Sequence, residues 1–181
     1  MEDDPGLAKI LVKSLRRRGY EVEVAENGRI GLNRIKEEVF DLLIVDYEMP
    51  ELNGIDVIRG LAQPPENQPA IMLTGAGNEG LAVTAMKAGA ADYLVKDIEM
   101  SYLELLPIVM DQALFRANLF KEKEELHLKT KQSEERYRLL VDHSPDGIVI
   151  HSQGQIKFIN PACIEMFHAA HSNQLVDRHL L

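Results

Sequence analysis

The sequence contains a single cysteine, Cys163, and no tryptophan. One thiol cannot form a disulfide within the chain, so a fold that depends on internal disulfides is excluded and a reducing compartment is indicated. No apolar run reaches the roughly 20 residues that a membrane-spanning helix requires. The acidic N-terminus also lacks the basic and apolar segments of a signal peptide. These absences favour a soluble, cytoplasmic protein.

Positive charge is scarce as well. The 20 Lys and Arg residues are outnumbered by 29 Asp and Glu residues, which gives a net charge of −9. A surface this acidic argues against nucleic acid as a direct partner of this segment. Hydrophobic residues make up 45% of the 181 residues, which is enough for a packed core, and the length allows one domain or two.

Predicted strands alternate with segments of helical periodicity along the first hundred or so residues. The strands are "EVEVA" (21–25), "DLLIVD" (41–46), "PAIMLTG" (69–75) and "ADYLVKD" (91–97). The solid apolar run at 41–46 is typical of a parallel strand that is buried on both faces. Strands that alternate with helices through short connections predict an α/β fold, with helices on both faces of a parallel sheet.

Polar residues stand at the ends of three predicted strands: Asp46, Thr74 and Lys96. Open α/β sheets form their sites at the carboxyl ends of the strands. Any one of these residues alone could be a cap or turn residue, but three at corresponding positions indicate a site. If the opening acidic pair, Glu2 and Asp3, also follows a strand end, the site gains two further carboxylates.

This set of residue types suits phosphoryl transfer. Carboxylate oxygens are ligands that Mg²⁺ prefers, and a carboxylate can act as a nucleophile and form an aspartyl phosphate. A hydroxyl group and an ammonium group can stabilise the oxygens of the transferred phosphoryl group.

Residues 1–120 resemble a response-regulator receiver domain. The motifs that carry the resemblance are "EDDP", "LLIVDYEMPELNG", "IMLTGAG" and "KAGAADYLVKD", in matching order and spacing. The resemblance implies a flavodoxin-like, doubly wound sheet and a role in two-component phosphorelay signalling. A histidine kinase or phosphotransfer protein would be the partner. Such a domain is a phosphoacceptor and not an enzyme, so any kinase or other output activity would lie outside this chain.

The resemblance also implies a role for each acidic residue. Asp46 is expected to be the phosphoacceptor and a ligand of Mg²⁺. Asp3, with Glu2 acting through water, is expected to hold the same ion. The backbone carbonyl of Glu48 is expected to be a further metal ligand.

The remaining site residues follow from the same resemblance. Thr74 is expected to bind the phosphoryl group and Lys96 to contact it. Tyr93 is expected to be the aromatic switch residue, and the alternative is a half-buried strand tyrosine without a switching role. The family usually has proline after its lysine, whereas this chain has Asp97. The loop after the strand of Lys96 is therefore expected to differ.

The family has a mostly aliphatic first strand before its acidic pair, and only Met1 precedes Glu2 here. In the order 2-1-3-4-5 that strand is internal to the sheet. We therefore expect the first strand to be missing and the chain to be a fragment at both ends. We also expect the chain alone to be poorly soluble or partly unfolded, or to fill the gap with a strand from elsewhere.

A glutamate- and lysine-rich segment at 101–138 predicts one long helix that packs on the sheet first and then becomes an exposed connector. The connector either pairs with a second copy in a homodimer or stays solvated alone. Residues 134–181 resemble the N-terminal part of a PAS domain, which is carried by "SEERYRLLVDHSPDGIVIHSQGQIKFINPACIEMF". The predicted organisation is a receiver at 1–120, a helical linker at 121–133 and a partial α+β PAS domain at 134–181. The signal is expected to pass through the helix.

Two other functions fit parts of the pattern. A haloacid-dehalogenase-type phosphohydrolase also uses an aspartate nucleophile with Thr or Ser, Lys and Mg²⁺. That class has its acidic pair after the lysine, whereas Glu2 and Asp3 come first here. A degenerate receiver that serves only as a dimerisation scaffold is the third possibility, and the intact set of Asp46, Thr74 and Lys96 weighs against it.

Overall fold

The computed structural model describes residues 1–61, 68–75, 79–169 and 171–178. The chain divides into two units, Met1–Lys123 and Glu124–Leu181. The elements that begin in the first unit are α1 (Pro5–Arg16), α2 (Gly28–Glu37), β1 (Leu43–Asp46), α3 (Gly54–Gly60), β2 (Ala70–Gly75), α4 (Glu79–Ala88), β3 (Asp92–Lys96) and α5 (Tyr102–Asp142). The second unit then contains β4 (Val149–Ser152), β5 (Gln155–Ile159), α6 (Pro161–Met166) and a 3₁₀ helix (Ser172–Gln174).

The first unit is built on a parallel sheet in the order β1-β2-β3. Leu43 lies opposite Ala70 in the first pair of strands, and Ile71 lies opposite Asp92 in the second. The central strand β2 is almost entirely buried, as a parallel strand covered on both faces should be. The α/β fold predicted from the alternating pattern is confirmed.

Alternate side chains of β2 enter two separate cores, because successive residues of a strand point to opposite faces of the sheet. Ala70 and Met72 join a cluster that includes residues of α3 and α4. Ile71 and Leu73 join a second cluster with α1 and with the first turns of α5. Full burial of such a side chain contributes about 1.5–3 kcal/mol, so β2 anchors the helices on both faces.

Short polar side chains begin the first three helices. The carboxylate of Asp4 accepts hydrogen bonds from the backbone N–H groups of Gly6 and Leu7 at the start of α1. Asn27 and Asn53 cap α2 and α3 in the same way. Such caps satisfy backbone donors that have no partner within the helix. One of the three opening carboxylates is therefore a helix cap.

The strand predicted at 21–25 does not form, and this prediction is wrong. The Met1 amine donates to the Ile44 carbonyl at 2.6 Å, and the Asp46 N–H donates to the Met1 carbonyl at 3.0 Å. The Glu2 N–H donates to the Ala25 carbonyl at 3.1 Å. Met1 and Glu2 thus lie between β1 and the end of the segment 21–25. A strand needs a continuous row of partners for its backbone, and the described residues provide no such row beside the rest of that segment.

Other boundaries differ by a few residues. The three strands of the sheet are one or two residues shorter at their ends than predicted. Helix α2 ends at Glu37, and Val39, which follows it, is 88% exposed. Helix α5 continues to Asp142 instead of ending at 138, and it stops shortly before Pro145, which disfavours helical backbone in the preceding residue.

The second unit contains a β-hairpin. Strands β4 and β5 are antiparallel, and the turn residues Gln153 and Gly154 have φ angles of 51° and 79°. Positive φ at both central residues suits the tightest hairpin turns, since their twist matches that of the strands. Asn160 is fully buried and caps α6. Its side-chain amide also donates to the carbonyls of Val141 and Asp146.

Among the residues that the structure describes, no helix is both long enough and apolar enough to cross a membrane.

Candidate functional site

Three predicted site residues meet at one edge of the sheet. Asp46 and Lys96 are the last residues of β1 and β3, and Thr74 is the penultimate residue of β2. Parallel pairing brings these strand ends into neighbouring positions, with Asp46 opposite Leu73 and Lys96 opposite Gly75. The carboxyl edge of the sheet therefore carries a carboxylate, a hydroxyl and an ammonium group side by side.

Lys96 connects two acidic residues of the site. Its Nζ lies 2.7 Å from Oδ2 of Asp46 and 3.2 Å from Oε2 of Glu2. The three side chains are only 4–16% exposed. Burial alone would lower the pKa of Lys96, but the hydrogen bond and attraction of Asp46, followed by those of Glu2, outweigh it and raise the pKa. The ammonium group thus stays charged near neutral pH.

Glu2, Asp3 and Asp46 form an acidic cluster in which ligand oxygens lie within 4.8 Å of one another. Burial, and then the negative charge of Asp46, raises the pKa of Glu2, and the opposing effect of Lys96 is smaller. Within the described residues, Oε1 of Glu2 and Oδ1 of Asp46 are buried without a hydrogen-bond partner. The clustered carboxylates of Glu2, Asp3 and Asp46, with the unpartnered Oε1 of Glu2, fit a hard divalent cation.

Gly54 is required for the loop that follows β1. A Cβ atom at this position would lie 2.5 Å from the Asp46 carbonyl and 3.0 Å from the Cα of Tyr47. The Gly54 N–H donates to the Tyr47 carbonyl at 3.0 Å. A side chain here would push apart the backbone that carries Asp46, so the close approach needs a glycine.

The structure also describes the positions of Thr74, Tyr93 and Glu48. Thr74 is 2% exposed, and its hydroxyl donates to the Gly75 carbonyl at 3.1 Å. Tyr93 lies on β3, an edge strand of the sheet, and is 38% exposed. The Glu48 side chain is exposed. The roles of these residues in phosphoryl binding, switching and metal coordination stay predictions.

Sequence reasoning missed two structural features near the site. Asp97 accepts a hydrogen bond from the backbone N–H of Tyr102 at 3.4 Å and so holds the start of α5. A hydrogen bond from Ser101 lowers the pKa of Asp97. Tyr102 is 3% exposed, and its hydroxyl has no hydrogen-bond partner in the described part of the chain. Burial raises the pKa of Tyr102, and the charges of Lys96 and Glu2 also act on this hydroxyl.

A cavity of about 970 Å³ opens beside the acidic cluster. Glu2 and Asp3 line one part of it, and the α1 residues Lys9, Lys13 and Arg16 line another. The cavity therefore borders two carboxylates of the acidic cluster, and its lining carries both signs of charge.

Comparison with known proteins finds two domain families along the chain. The family described as the response regulator receiver domain matches residues 1–106. A PAS domain family matches residues 135–180.

Similar proteins match the first part of the chain. The transcriptional regulatory protein ZraR of Klebsiella oxytoca is 35% identical over 105 residues, which is 58% of this chain and 24% of ZraR. The phosphate regulon transcriptional regulatory protein PhoB of Rhizobium meliloti is 39% identical over 98 residues, which is 53% of this chain and 43% of PhoB. The chain thus spans less than half of either relative.

Solved structures agree with the fold. The response regulator receiver domain protein from Clostridium thermocellum is 31% identical and superposes with a TM-score of 0.59, over 65% of this chain and 93% of that one. A response regulator from Chloroflexus aurantiacus is 32% identical, with a TM-score of 0.56 over 63% of this chain and 93% of the other.

Proposed function

Because this chain belongs to the response-regulator receiver family of two-component signalling, we propose that Asp46 accepts a phosphoryl group from a histidine kinase or a phosphotransfer protein. The observation that carries the proposal is the environment of this carboxylate. Asp46 is buried at the end of β1, it lies 2.7 Å from the ammonium group of Lys96, and it shares an acidic cluster with Glu2 and Asp3.

The two oxygens of Asp46 suit different tasks. Oδ2 is held by Lys96, whereas Oδ1 is buried without a partner among the described residues and is the proposed nucleophile. In the proposed step, Oδ1 attacks the phosphorus atom of the donor's phosphohistidine. The bond between phosphorus and the histidine nitrogen breaks, and its electron pair stays on that nitrogen, which then takes a proton from solvent. The product is an acyl phosphate on Asp46.

Positioned positive charge and hydrogen-bond donors supply most of the catalysis in phosphoryl transfer. Lys96 would neutralise charge on the phosphoryl oxygens, and the Thr74 hydroxyl would turn from the Gly75 carbonyl to donate to one of them. Glu2, Asp3, Asp46 and the Glu48 carbonyl would hold Mg²⁺. When bound, this ion supplies further positive charge to the phosphoryl oxygens.

The signal is proposed to leave the site through Tyr93 and α5 and to reach the PAS domain as a shift of that helix. Asp97 and Tyr102 tie the start of α5 to the strand of Lys96. The proposed organisation is a receiver at 1–120, a linker at 121–133 and a partial PAS domain at 134–181. Output activity lies outside this chain, which does not itself bind nucleic acid, and the proposed location is the cytoplasm.

The acceptor assignment is tested with acetyl phosphate and Mg²⁺, followed by intact-mass measurement. The wild-type chain should gain one phosphoryl group, and Asp46→Asn should gain none. Asp56→Asn is a matched control, since Asp56 is an exposed carboxylate on α3, and it should be labelled like the wild type. Undiminished labelling of Asp46→Asn would contradict the assignment.

An assay of phosphatase activity distinguishes the receiver function from the phosphohydrolase alternative. A receiver should not turn over p-nitrophenyl phosphate, whereas a hydrolase should. Beryllofluoride, as a mimic of the phosphoryl group, should change hydrogen exchange or the oligomeric state of 101–138 if the helix carries the signal. Identical hydrogen exchange and sedimentation with and without beryllofluoride would contradict transmission of the signal through this helix.

A further inference from the structure

Three buried side-chain polar atoms have no hydrogen-bond partner in the described part of the chain. They are Oε1 of Glu2, Oδ1 of Asp46 and the hydroxyl of Tyr102. The two carboxylate oxygens accept hydrogen bonds and belong to the acidic cluster, whereas the hydroxyl can donate one. A buried polar group without a partner costs free energy, so such groups are uncommon in folded proteins. The unused hydroxyl of Tyr102 therefore needs a physical explanation.

Tyr102 covers the face of the sheet on which the site lies. It is 3% exposed and belongs to an apolar cluster against which Ile44 and Leu94 also pack. Side chains two residues apart on a strand point to the same face, so Asp46 and Lys96 lie on the face that this cluster covers. Lys96 ends β3, and Tyr102 begins α5, the next element along the chain. The first residue of α5 is therefore placed beneath the charged groups of the site.

The charges of the site act on the Tyr102 hydroxyl. Burial raises the pKa of Tyr102, the charge of Lys96 lowers it, and the charges of Glu2 and Asp46 raise it. Charges act strongly on a buried group at short range, where little water screens them. The backbone of Tyr102 is held as well, because its N–H donates to Oδ1 of Asp97 at 3.4 Å. The hydroxyl is thus an anchored donor within the electrostatic reach of the site.

The acceptor for this donor changes when Asp46 is phosphorylated. The Nζ atom of Lys96 lies 2.7 Å from Asp46 but 3.2 Å from Oε2 of Glu2. In the proposed function Lys96 turns to the phosphoryl oxygens, and Oε2 of Glu2 then loses its ammonium partner. A buried carboxylate that loses its partner is strongly destabilising. The Tyr102 hydroxyl can take the place of the ammonium group.

We propose that Tyr102 is a positioning residue of the phosphoacceptor site, whose hydroxyl donates a hydrogen bond to the Glu2 carboxylate when Asp46 carries a phosphoryl group. This inference rests on the proposed transfer to Asp46 and adds a residue to that site. The bond holds Glu2 in the acidic cluster after Lys96 has turned away. Because Tyr102 begins α5, the same bond ties this helix to the site only in the phosphorylated state.

Binding of beryllofluoride with Mg²⁺, as a mimic of the phosphoryl group on Asp46, gives the first test. Tyr102→Phe should weaken this binding about tenfold, because a hydrogen bond to a charged group is lost. Tyr20→Phe is the matched control and should bind like the wild type, because the Tyr20 hydroxyl donates to Asp111 instead. Equal affinities of the wild type and Tyr102→Phe would overturn this inference and leave the acceptor assignment intact. A wild type that does not bind beryllofluoride would overturn both.

The partner of the hydroxyl is tested in a Glu2→Gln background. A neutral side chain accepts a weaker hydrogen bond than a carboxylate, so Tyr102→Phe should weaken beryllofluoride binding only about threefold there. An equal loss in both backgrounds would show that the hydroxyl acts on another group and would overturn the inference. The free energy of unfolding without beryllofluoride should not fall in Tyr102→Phe, which separates a lost hydrogen bond from lost folding.

Fluorine NMR of the chain labelled with 3-fluorotyrosine gives a signature that a purely structural role would not produce. The resonance that is absent from Tyr102→Phe belongs to Tyr102. It should shift when beryllofluoride and Mg²⁺ are added, and the shift should be smaller in Glu2→Gln. Tyr137, which is 67% exposed, is the internal control and should not shift. A Tyr102 resonance that is unaffected by beryllofluoride would overturn the inference.

Discussion

The Nζ atom of Lys96 lies 2.7 Å from Oδ2 of Asp46, so the ends of β3 and β1 are joined by an ion pair although β2 lies between them. Both side chains are largely buried, at 16% and 4% exposure. The electrostatic attraction between the two charges is stronger in such surroundings than in water. Loss of one partner leaves the other charge buried without an opposite charge.

Lys96→Ala should therefore destabilise the first unit by about 3 kcal/mol. The same substitution should slow labelling of Asp46 by acetyl phosphate, since the phosphoryl oxygens lose a positive charge. Denaturant unfolding and intact-mass kinetics measure the two effects. Arg34→Ala is the control, because the Arg34–Glu23 pair is exposed and should contribute about 1 kcal/mol or less. Equal losses in the free energy of unfolding for Lys96→Ala and Arg34→Ala would contradict the larger contribution expected of the buried pair.

Glu2→Gln should make the chain more stable near neutral pH when divalent cations are removed. Burial, and then the charge of Asp46, raises the pKa of Glu2. The folded chain thus binds more protons than the unfolded chain just above the usual pKa of 4.5. The contribution of Glu2 to stability is present below that value and falls as the pH rises through the folded pKa.

The advantage of Glu2→Gln should accordingly be larger at about pH 7 than at about pH 4. Thermal unfolding in EDTA across this range measures the difference. Mg²⁺ should stabilise the wild type more than the variant, because the variant has lost a carboxylate of the acidic cluster. Glu23→Gln, on the exposed surface, should show neither effect. A stability gap that is constant with pH would contradict the assigned cause.

Tyr102→Phe should leave stability unchanged or raise it slightly. The Tyr102 hydroxyl is buried and has no hydrogen-bond partner in the described residues, so its removal breaks no bond and ends a desolvation cost. Tyr20→Phe is the matched control, because the Tyr20 hydroxyl donates to Oδ1 of Asp111 at 3.0 Å. That variant should lose about 0.5–1.5 kcal/mol. A larger loss for Tyr102→Phe than for Tyr20→Phe would mean that the buried hydroxyl is satisfied in solution.

Asn160→Ala should loosen the second unit while leaving the first unchanged. The Asn160 side chain accepts hydrogen bonds from the N–H groups of Ile148 and Cys163 and donates to two carbonyls. Each buried group that loses its partner costs about 1–3 kcal/mol. Hydrogen exchange should rise around 141–163, and exchange in β1–β3 should stay the same as an internal control. Unchanged protection around 141–163 would contradict this role.

The sheet and most of the site could be predicted because their signals are local. The apolar composition of 41–46 is enough to predict a buried strand. The position of Asp46 at the end of that run is enough to predict that it is a site residue. Charged and apolar residues alternate just as clearly in the segment 21–25. A strand forms there only if a partner strand, distant in sequence, lies beside it. In the described part of the chain, only Met1 and Glu2 lie between the end of that segment and β1. Pattern alone cannot supply that information.

The turn before α5 could not be predicted from the sequence for a different reason. Tyr102 enters the core and Asp97 holds the helix because the chain turns sharply at Met100, whose φ angle is 59°. A non-glycine residue in this conformation is uncommon, and nothing in the sequence around Met100 indicates it. A shift of one residue in this turn would carry the Tyr102 side chain away from the core, since each helical residue rotates the face by about 100°.

The ion pair with Lys96 also removes the symmetry of the Asp46 carboxylate. In free aspartate the two oxygens exchange by rotation and are chemically equivalent, whereas here one is tethered and the other is not. The Lys96 ion pair therefore fixes the orientation of the Asp46 carboxylate. If Asp46 is the phosphoacceptor, as proposed, Lys96 would favour formation of the new bond at the oxygen that it does not hold.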